Sequence, residues 1–238
     1  MDTLTYADYL KLDTLLSLQE PRVPRSAERS VTLSEHFFVV AHQSCELWLK
    51  QIVADVEAAI DLLQPGRGPD DHVTSIEFLE RAGELLRILL EQVIALEKLP
   101  IRHFAEFRPL LGTASGADSE QFRYLGELIG DDQRSGSLYE TFASAAKYSG
   151  TSVAEVCRLG PSAGAYHRIA EALLDIGNKF WRWRLEHVTL VTQMLGGGTG
   201  TGGTSGAAYL MRRITLPFAE LRQLRSQVHV DCAERHAG

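Results

Sequence analysis

Residues 162–195 read SAGAYHRIAEALLDIGNKFWRWRLEHVTLVTQML, and their spacing decides the fold class. Counting by threes and fours from Ile169 gives Leu173, Ile176, Phe180, Trp183, His187, Leu190 and Met194, a period that only a helix places on one face. Every member is apolar except His187. An earlier stretch repeats the pattern with Phe38, His42, Cys45, Leu49, Ile52, Val56 and Ile60, and again one histidine interrupts a core-facing stripe.

The same period extends to the rest of the chain. Thr32 with Glu35 and Thr74 with Glu77 have capping-box spacing and predict helix starts there. The first helix is expected to run to about Leu63, stopped by residues 64–69 (QPGRGP), and the second to Leu99, stopped by Pro100. Shorter helices are expected over Ser119–Ile129, Ser137–Lys147 and Val153–Leu159. A very long one covers Ser162 to Leu195 and another Leu216 to Val230. No run alternates as a strand does. Between the last two helices, seven of the eleven residues Gly196–Gly206 are glycine, a flexible segment suited to a lid. The expectation is an all-α, single-domain bundle of long helices spanning residues 1–238.

Composition narrows the function. With 238 residues, 45% of them hydrophobic, the chain can bury a sizeable core. Its net charge is −7 and it has no basic block, which argues against nucleic acid as a partner. No apolar run approaches a membrane span, and no signal peptide follows Met1. The three cysteines, Cys45, Cys157 and Cys232, form no C-x-x-C pair, which points to a reduced cytoplasmic compartment. H-E-x-x-H, Glu-x-x-His and C-x-x-C-H are absent, against a zincin, a carboxylate-bridged di-iron bundle and covalently attached haem. Taken singly, His42 and His187 read as core histidines whose ring nitrogens find backbone or hydroxyl partners. Taken together, two imidazoles on two apolar stripes suit a shared cavity, where a neutral ring among aromatics can serve as an axial haem ligand.

Five groups of residues, in order, resemble the motifs of the tryptophan 2,3-dioxygenase family. Thr5-Tyr6-Ala7-Asp8-Tyr9-Leu10 is similar to T-Y-x-D-Y-L. Phe38, His42-Gln43 and Glu46-Leu47-Trp48 are similar to F-x-x-x-H-Q-x-x-E-L-W. Phe107-Arg108, Leu111, Ser115-Gly116 and Gln121-Phe122-Arg123 are similar to a third set, and Trp183-Arg184 with His187 to W-R-x-x-H. Residues 200–206 with Tyr209-Leu210 are similar to G-T-G-G-[ST]-S-G…Y-L. The resemblance implies haem b, ferrous when active, with His187 as proximal iron ligand and Trp183, Ser115 and Gly116 beside the cofactor.

It further implies O₂ as co-substrate and an aromatic amino acid, L-tryptophan or a substituted tryptophan, whose indole is opened to an N-formylkynurenine-type product. His42 would meet the indole N–H, Phe38, Phe104 and Leu111 would wall the pocket, and Arg108 would hold the carboxylate. Thr201 would close over the substrate's amino-acid end. Tyr6 and Tyr9 would reach a neighbouring subunit of a homotetramer. Phe104 stands where the family usually has tyrosine, Ala117 where phenylalanine is usual, and the stretch from Arg123 to Trp181 is shorter. The alternatives are a haem monooxygenase giving an oxindole or hydroxylated product, and a non-catalytic haem or gas sensor.

Overall fold

The computed structural model describes residues 3–196, 198 and 206–237, with side chains as far as residue 228. Two short helices, α1 (Tyr6–Leu10) and α2 (Leu12–Leu15), precede the long α3 (Arg29–Leu62) and α4 (Pro69–Leu96). After α5 (Ile101–Phe107), two 3-10 turns, Arg108–Leu111 and Gly116–Asp118, lead into α6 (Glu120–Ile129), α7 (Ser137–Tyr148) and α8 (Val153–Leu159). A third turn, Gly160–Ala163, introduces α9 (Ala165–Leu195), and α10 (Ala207–Met211) and α11 (Ala219–Ala237) follow. No strand forms among the described residues, where one isolated bridge pairs Gly130 with Ser135. The chain is all-α, as its periodicity predicts.

The helix starts differ from the sequence expectation. α3 begins at Arg29 and α4 at Pro69, ahead of the threonines that look like caps. Proline suits the first helical position, where its fixed φ helps and its missing N–H costs nothing. The Asp71 carboxylate accepts from the Gly68 N–H at 3.1 Å and holds that start. Thr32 and Thr74 instead turn their hydroxyls back on the carbonyls of Glu28 (3.4 Å) and Asp70 (3.0 Å), the usual choice of a hydroxyl inside a helix. α9 begins at Ala165 because Gly164, at φ +61°, breaks it from the preceding turn. It ends where the N–H of Gly196, at φ +55°, bonds the Thr192 carbonyl at 2.8 Å, a glycine stop.

α4 is the central helix, packed along α3 on one side and α9 on the other. Arg81 pairs with Asp55 and Gln92 with Ser44 of α3, while Glu80 meets Arg168 and Glu84 meets Lys179 of α9. These pairings make α4 antiparallel to α3 and parallel to α9. Ile52 and Val56 of α3, Ile76 and Leu79 of α4, and Ile169 and Leu173 of α9 are fully buried in the main core. Each such side chain contributes about 1.5–3 kcal/mol through burial. Along both histidine stripes the burial is graded. α3 is sealed from Leu49 onward but open at Phe38, His42 and Cys45, whereas α9 is sealed up to Phe180 and half-open from Trp183 to His187. Since α3 and α9 are antiparallel, the two open halves lie at the same end. A second cluster of Ala41, Val93, Leu96 and Leu190 forms the floor there.

Candidate functional site

That open end brings the two histidines together. Ala41, next to His42, and Leu190, nearly one turn after His187, share the floor cluster with Val93 and Leu96 of α4. Each imidazole lies within electrostatic reach of the other, and the charge of His42 disfavours a proton on His187. The His187 ring stacks on the Trp183 indole, with centroids 5.5 Å apart and planes 3° from parallel. Burial first, and then His42, push its pKa down to about 4, so the ring is neutral at pH 7.

His42 presents a defined face. Its Nδ1 lies 2.7 Å from the Phe38 carbonyl. A carbonyl only accepts, so Nδ1 carries the proton and Nε2 keeps a bare lone pair. The ring is exposed by area, yet burial lowers its pKa more than the Phe38 carbonyl and Glu46 raise it. Both statements hold for a ring on the wall of a cleft, reached by solvent from one side and crowded by protein on the others.

Aromatic rings line the α3 side. Phe38 lies tilted against His42, centroids 4.0 Å apart, and meets Phe104 at 5.9 Å and Phe107 at 5.5 Å, the last two crossing each other at 87°. A hydrogen bond of 2.8 Å between Ser34 Oγ and His103 Nδ1 fastens α5 to α3 and so sets these rings. Arg108 opens the turn directly after buried Phe107, and Leu111 closes it, half-buried. Ser115 Oγ accepts from the Ala117 N–H at 3.3 Å, and the Ser115 N–H donates to Asp118 at 3.2 Å, which shapes the turn ahead of α6. Gly116 has open space where a side chain would project.

α6 then bridges the two walls. Gln121 Nε2 donates to both the backbone carbonyl and the carboxylate of Glu46, each at 2.9 Å, and the Phe122 ring lies 4.8 Å from Trp183. Phe107, Gln121 and Phe122 stood within quoted motifs, but their rings and amide carry no sequence sign of bridging, since bridging is a tertiary property. Tyr6 and Tyr9 are exposed, on an arm held by Gln19 Nε2 to Gln43 Oε1 (2.6 Å) and Gln43 Nε2 to the Leu18 carbonyl (3.0 Å). Thr201 lies outside the described residues.

The residues present suit a haem. Among the described residues no three His, Cys, Asp or Glu side chains gather to hold a bare metal ion. A lone imidazole therefore makes a metal site when the metal brings its own equatorial ligands, as iron in a porphyrin does. Neither ring nitrogen of His187 has a hydrogen-bond partner among the described residues. The buried Nε1–H of Trp183 beside it is also without one.

The family described as tryptophan 2,3-dioxygenase matches residues 1–152 and 140–228. Proteins named tryptophan 2,3-dioxygenase from Xanthomonas euvesicatoria pv. vesicatoria and Xanthomonas oryzae pv. oryzae are 31% and 32% identical, over 96% of this chain and 89% of theirs. One from Serratia proteamaculans is 28% identical over 94% of this chain and 93% of its own. The chain belongs to the tryptophan 2,3-dioxygenase family. The Xanthomonas alignments extend over 273 positions against 238 residues here, and the two matched stretches overlap at 140–152. The overlap of the two matched stretches covers the end of α7 and the residues up to α8. Tyr148, at the end of α7, lies beside Gly66 in the α3–α4 turn, about 30 Å along α3 from His42 at 1.5 Å per residue.

The depressed histidine gives the haem-free chain a pH signature. Unfolded, a histidine binds its proton near 6.5; folded, His187 does so at about 4. Between these values the unfolded chain holds more protons, so this contribution to stability is fully present above about 6.5 and is lost as the pH falls toward 4. Urea midpoints of the haem-free chain at pH 7 and pH 4.5 are expected to differ more than those of His187→Gln. Equal differences in parent and variant would overturn the assignment.

Proposed function

We propose that this single-domain chain is a haem-dependent oxygenase acting on the indole ring of L-tryptophan or a substituted tryptophan, by 2,3-dioxygenation to an N-formylkynurenine-type product. The observation that carries the reading is the pair of neutral imidazoles across an aromatic cleft. One has no hydrogen-bond partner on its ring nitrogens among the described residues and lies beside a stacked indole; the other offers a bare Nε2 beside Phe38. The haem, once bound, supplies the binding and activation of O₂.

The residues supply position. His187 would hold the iron, and Trp183, Ser115 and Gly116 would border the cofactor. Phe38, Phe104 and Leu111 enclose the aromatic ring, and the Arg108 fork takes the carboxylate. His42 Nε2 accepts the indole N–H and fixes the ring's orientation. Thr201, on the glycine-rich segment, meets the amino-acid end as that segment closes and excludes water. Tyr6 and Tyr9 complete the pocket of a neighbouring copy in a homotetramer. No helix among the described residues is long and apolar enough to cross a membrane, which fits the assignment to the cytoplasm.

As an orienting acceptor, His42 is expected to be helpful but dispensable. His42→Ala should keep measurable turnover, short of the roughly 10²–10⁴-fold loss of a general base. An N-methylated indole should lose less in the variant than in the parent. Abolished turnover with haem and substrate still bound would make His42 an obligatory acid–base group instead.

Turnover of tryptophan and ring-substituted tryptophans under ¹⁸O₂, with mass spectrometry of the product, tests the reaction. Two labelled oxygens in a ring-opened product support the proposal. One labelled oxygen on an intact ring would replace it with monooxygenation, and a haem protein with no product from any indole would replace it with a sensor.

A further inference from the structure

A cavity of about 510 Å³ lies between α9 and the first turns of α11. Its walls carry Glu171, Asp175 and Asn178 from α9 and Arg222 and Arg225 from α11. That volume is in the range of small-molecule sites. The Arg225 guanidinium pairs with Glu171, and Asp175 pairs with Lys179 at 2.8 Å, so those charges are compensated. Arg222 forms no ion pair among the described residues. Its Nε donates to the Pro217 carbonyl at 2.8 Å and its Nη2 to Asn178 Oδ1 at 2.9 Å, both neutral acceptors. A guanidinium has five N–H donors, so these bonds leave several unused. Burial works against the charge of Arg222, and no neighbouring carboxylate works for it.

The guanidinium is also held in place. A Cβ added at Gly177 would lie 3.0 Å from the Phe218 ring and 3.2 Å from Arg222 Nη2, so the bare glycine forms the seat for both. Phe218 is buried at φ +60°, a left-handed backbone that a bulky residue adopts only under constraint. α11 starts directly after it, at Ala219. Arg222 therefore stands in the first turn of a helix, where the dipole favours an anion and not a cation. Glu220, the acidic residue of that turn, lies against Tyr139 instead. A fixed, half-buried guanidinium with only neutral partners and a cavity beside it is completed by an anion from outside.

We propose that this α9–α11 cavity binds a small organic carboxylate, held by the Arg222 fork with Asn178 beside it. One unpaired guanidinium selects a monoanion, and its planar fork suits a carboxylate. The paired Glu171 and Asp175 keep acceptor oxygens for hydroxyl groups on the ligand and repel a second negative charge. Asn178 precedes His187 by nine residues, about 14 Å along α9, which sets this site apart from the aromatic cleft.

Calorimetric titration of the full chain with sodium lactate and with lactamide, at fixed ionic strength, tests the proposal. The two ligands share a hydroxyl and a size, but only lactate is charged. The parent should bind lactate at least about tenfold more tightly, a factor that one charge-assisted contact supplies. Arg222→Met should erase the preference, and Arg222→Lys should keep part of it. Asn178→Asp puts a carboxylate beside Nη2 in place of the amide. It should erase the preference while raising the urea midpoint, a combination that damage to the fold would not produce. Asn178→Asp and Arg222→Lys carry the test if Arg222→Met fails to fold by circular dichroism. Arg108→Ala should keep the full preference. Equal binding of both ligands by the parent, or a full preference surviving in Arg222→Met or Asn178→Asp, would overturn the proposal. A preference lost in Arg108→Ala would place lactate in the aromatic cleft and overturn it as well.

Discussion

His187→Ala is expected to fold and to purify with almost no haem. In the folded chain the imidazole is buried enough to lower its pKa to about 4, and its ring nitrogens have no hydrogen-bond partner among the described residues. A polar ring kept in that setting is a liability to stability, so removing it should not unfold the bundle. It should instead remove the only protein-to-iron bond proposed for the cofactor. The loss of affinity should exceed the roughly 10–100-fold that follows removal of an outer partner of a metal ligand. The measurement is the Soret absorbance per mole of protein, with far-ultraviolet circular dichroism as the folding control. Added imidazole should restore part of the band by entering the space left beside Trp183. A full Soret band in His187→Ala without imidazole would remove His187 from the iron.

The sequence made the long helices legible because each is many turns long. Over such lengths a 3.6-residue period is unambiguous, and the stripes of α3 and α9 are buried where the main core lies. The helices α1, α2, α5 and α10 span four to seven residues and show no period, whereas α8, seven residues long like α5, was legible. The threonine caps misled for a local reason. A hydroxyl at a helix start and one bonded back within the first turns have the same sequence neighbourhood, and Pro69 with Asp71 decides between them for α4.

At the site, the two histidines stood out because each interrupts an apolar stripe. Which of them would have a free lone pair, and on which nitrogen, was not legible. It follows from the Phe38 carbonyl lying one turn back on α3 and from the stacking of Trp183 on His187. The graded burial was hidden as well. A stripe reads the same whether it is sealed or open, and only the antiparallel course of α3 and α9 puts the two open halves side by side.

Arg108→Ala is expected to weaken amino-acid binding steeply while leaving haem content unchanged. Arg108 follows Phe107, whose ring is fully buried against Phe38, and Pro109 comes next, so the backbone beneath the guanidinium is tightly constrained. A carboxylate that enters an aromatic cleft leaves water behind, and a planar fork offers it two parallel hydrogen bonds. Truncating one partner of a buried charged pair costs on the order of 2–5 kcal/mol, roughly 30-fold to several thousand-fold in affinity. Lysine keeps the charge but not the fork, so Arg108→Lys should recover only part. The check is a visible-absorbance titration of the haem-loaded protein with tryptophan and with tryptamine, which has the same ring and amine but no carboxylate. The parent should favour tryptophan by the factor that Arg108→Ala loses, and the variant should bind the two alike. A parent that binds tryptamine as tightly as tryptophan would show that the carboxylate is not what Arg108 holds.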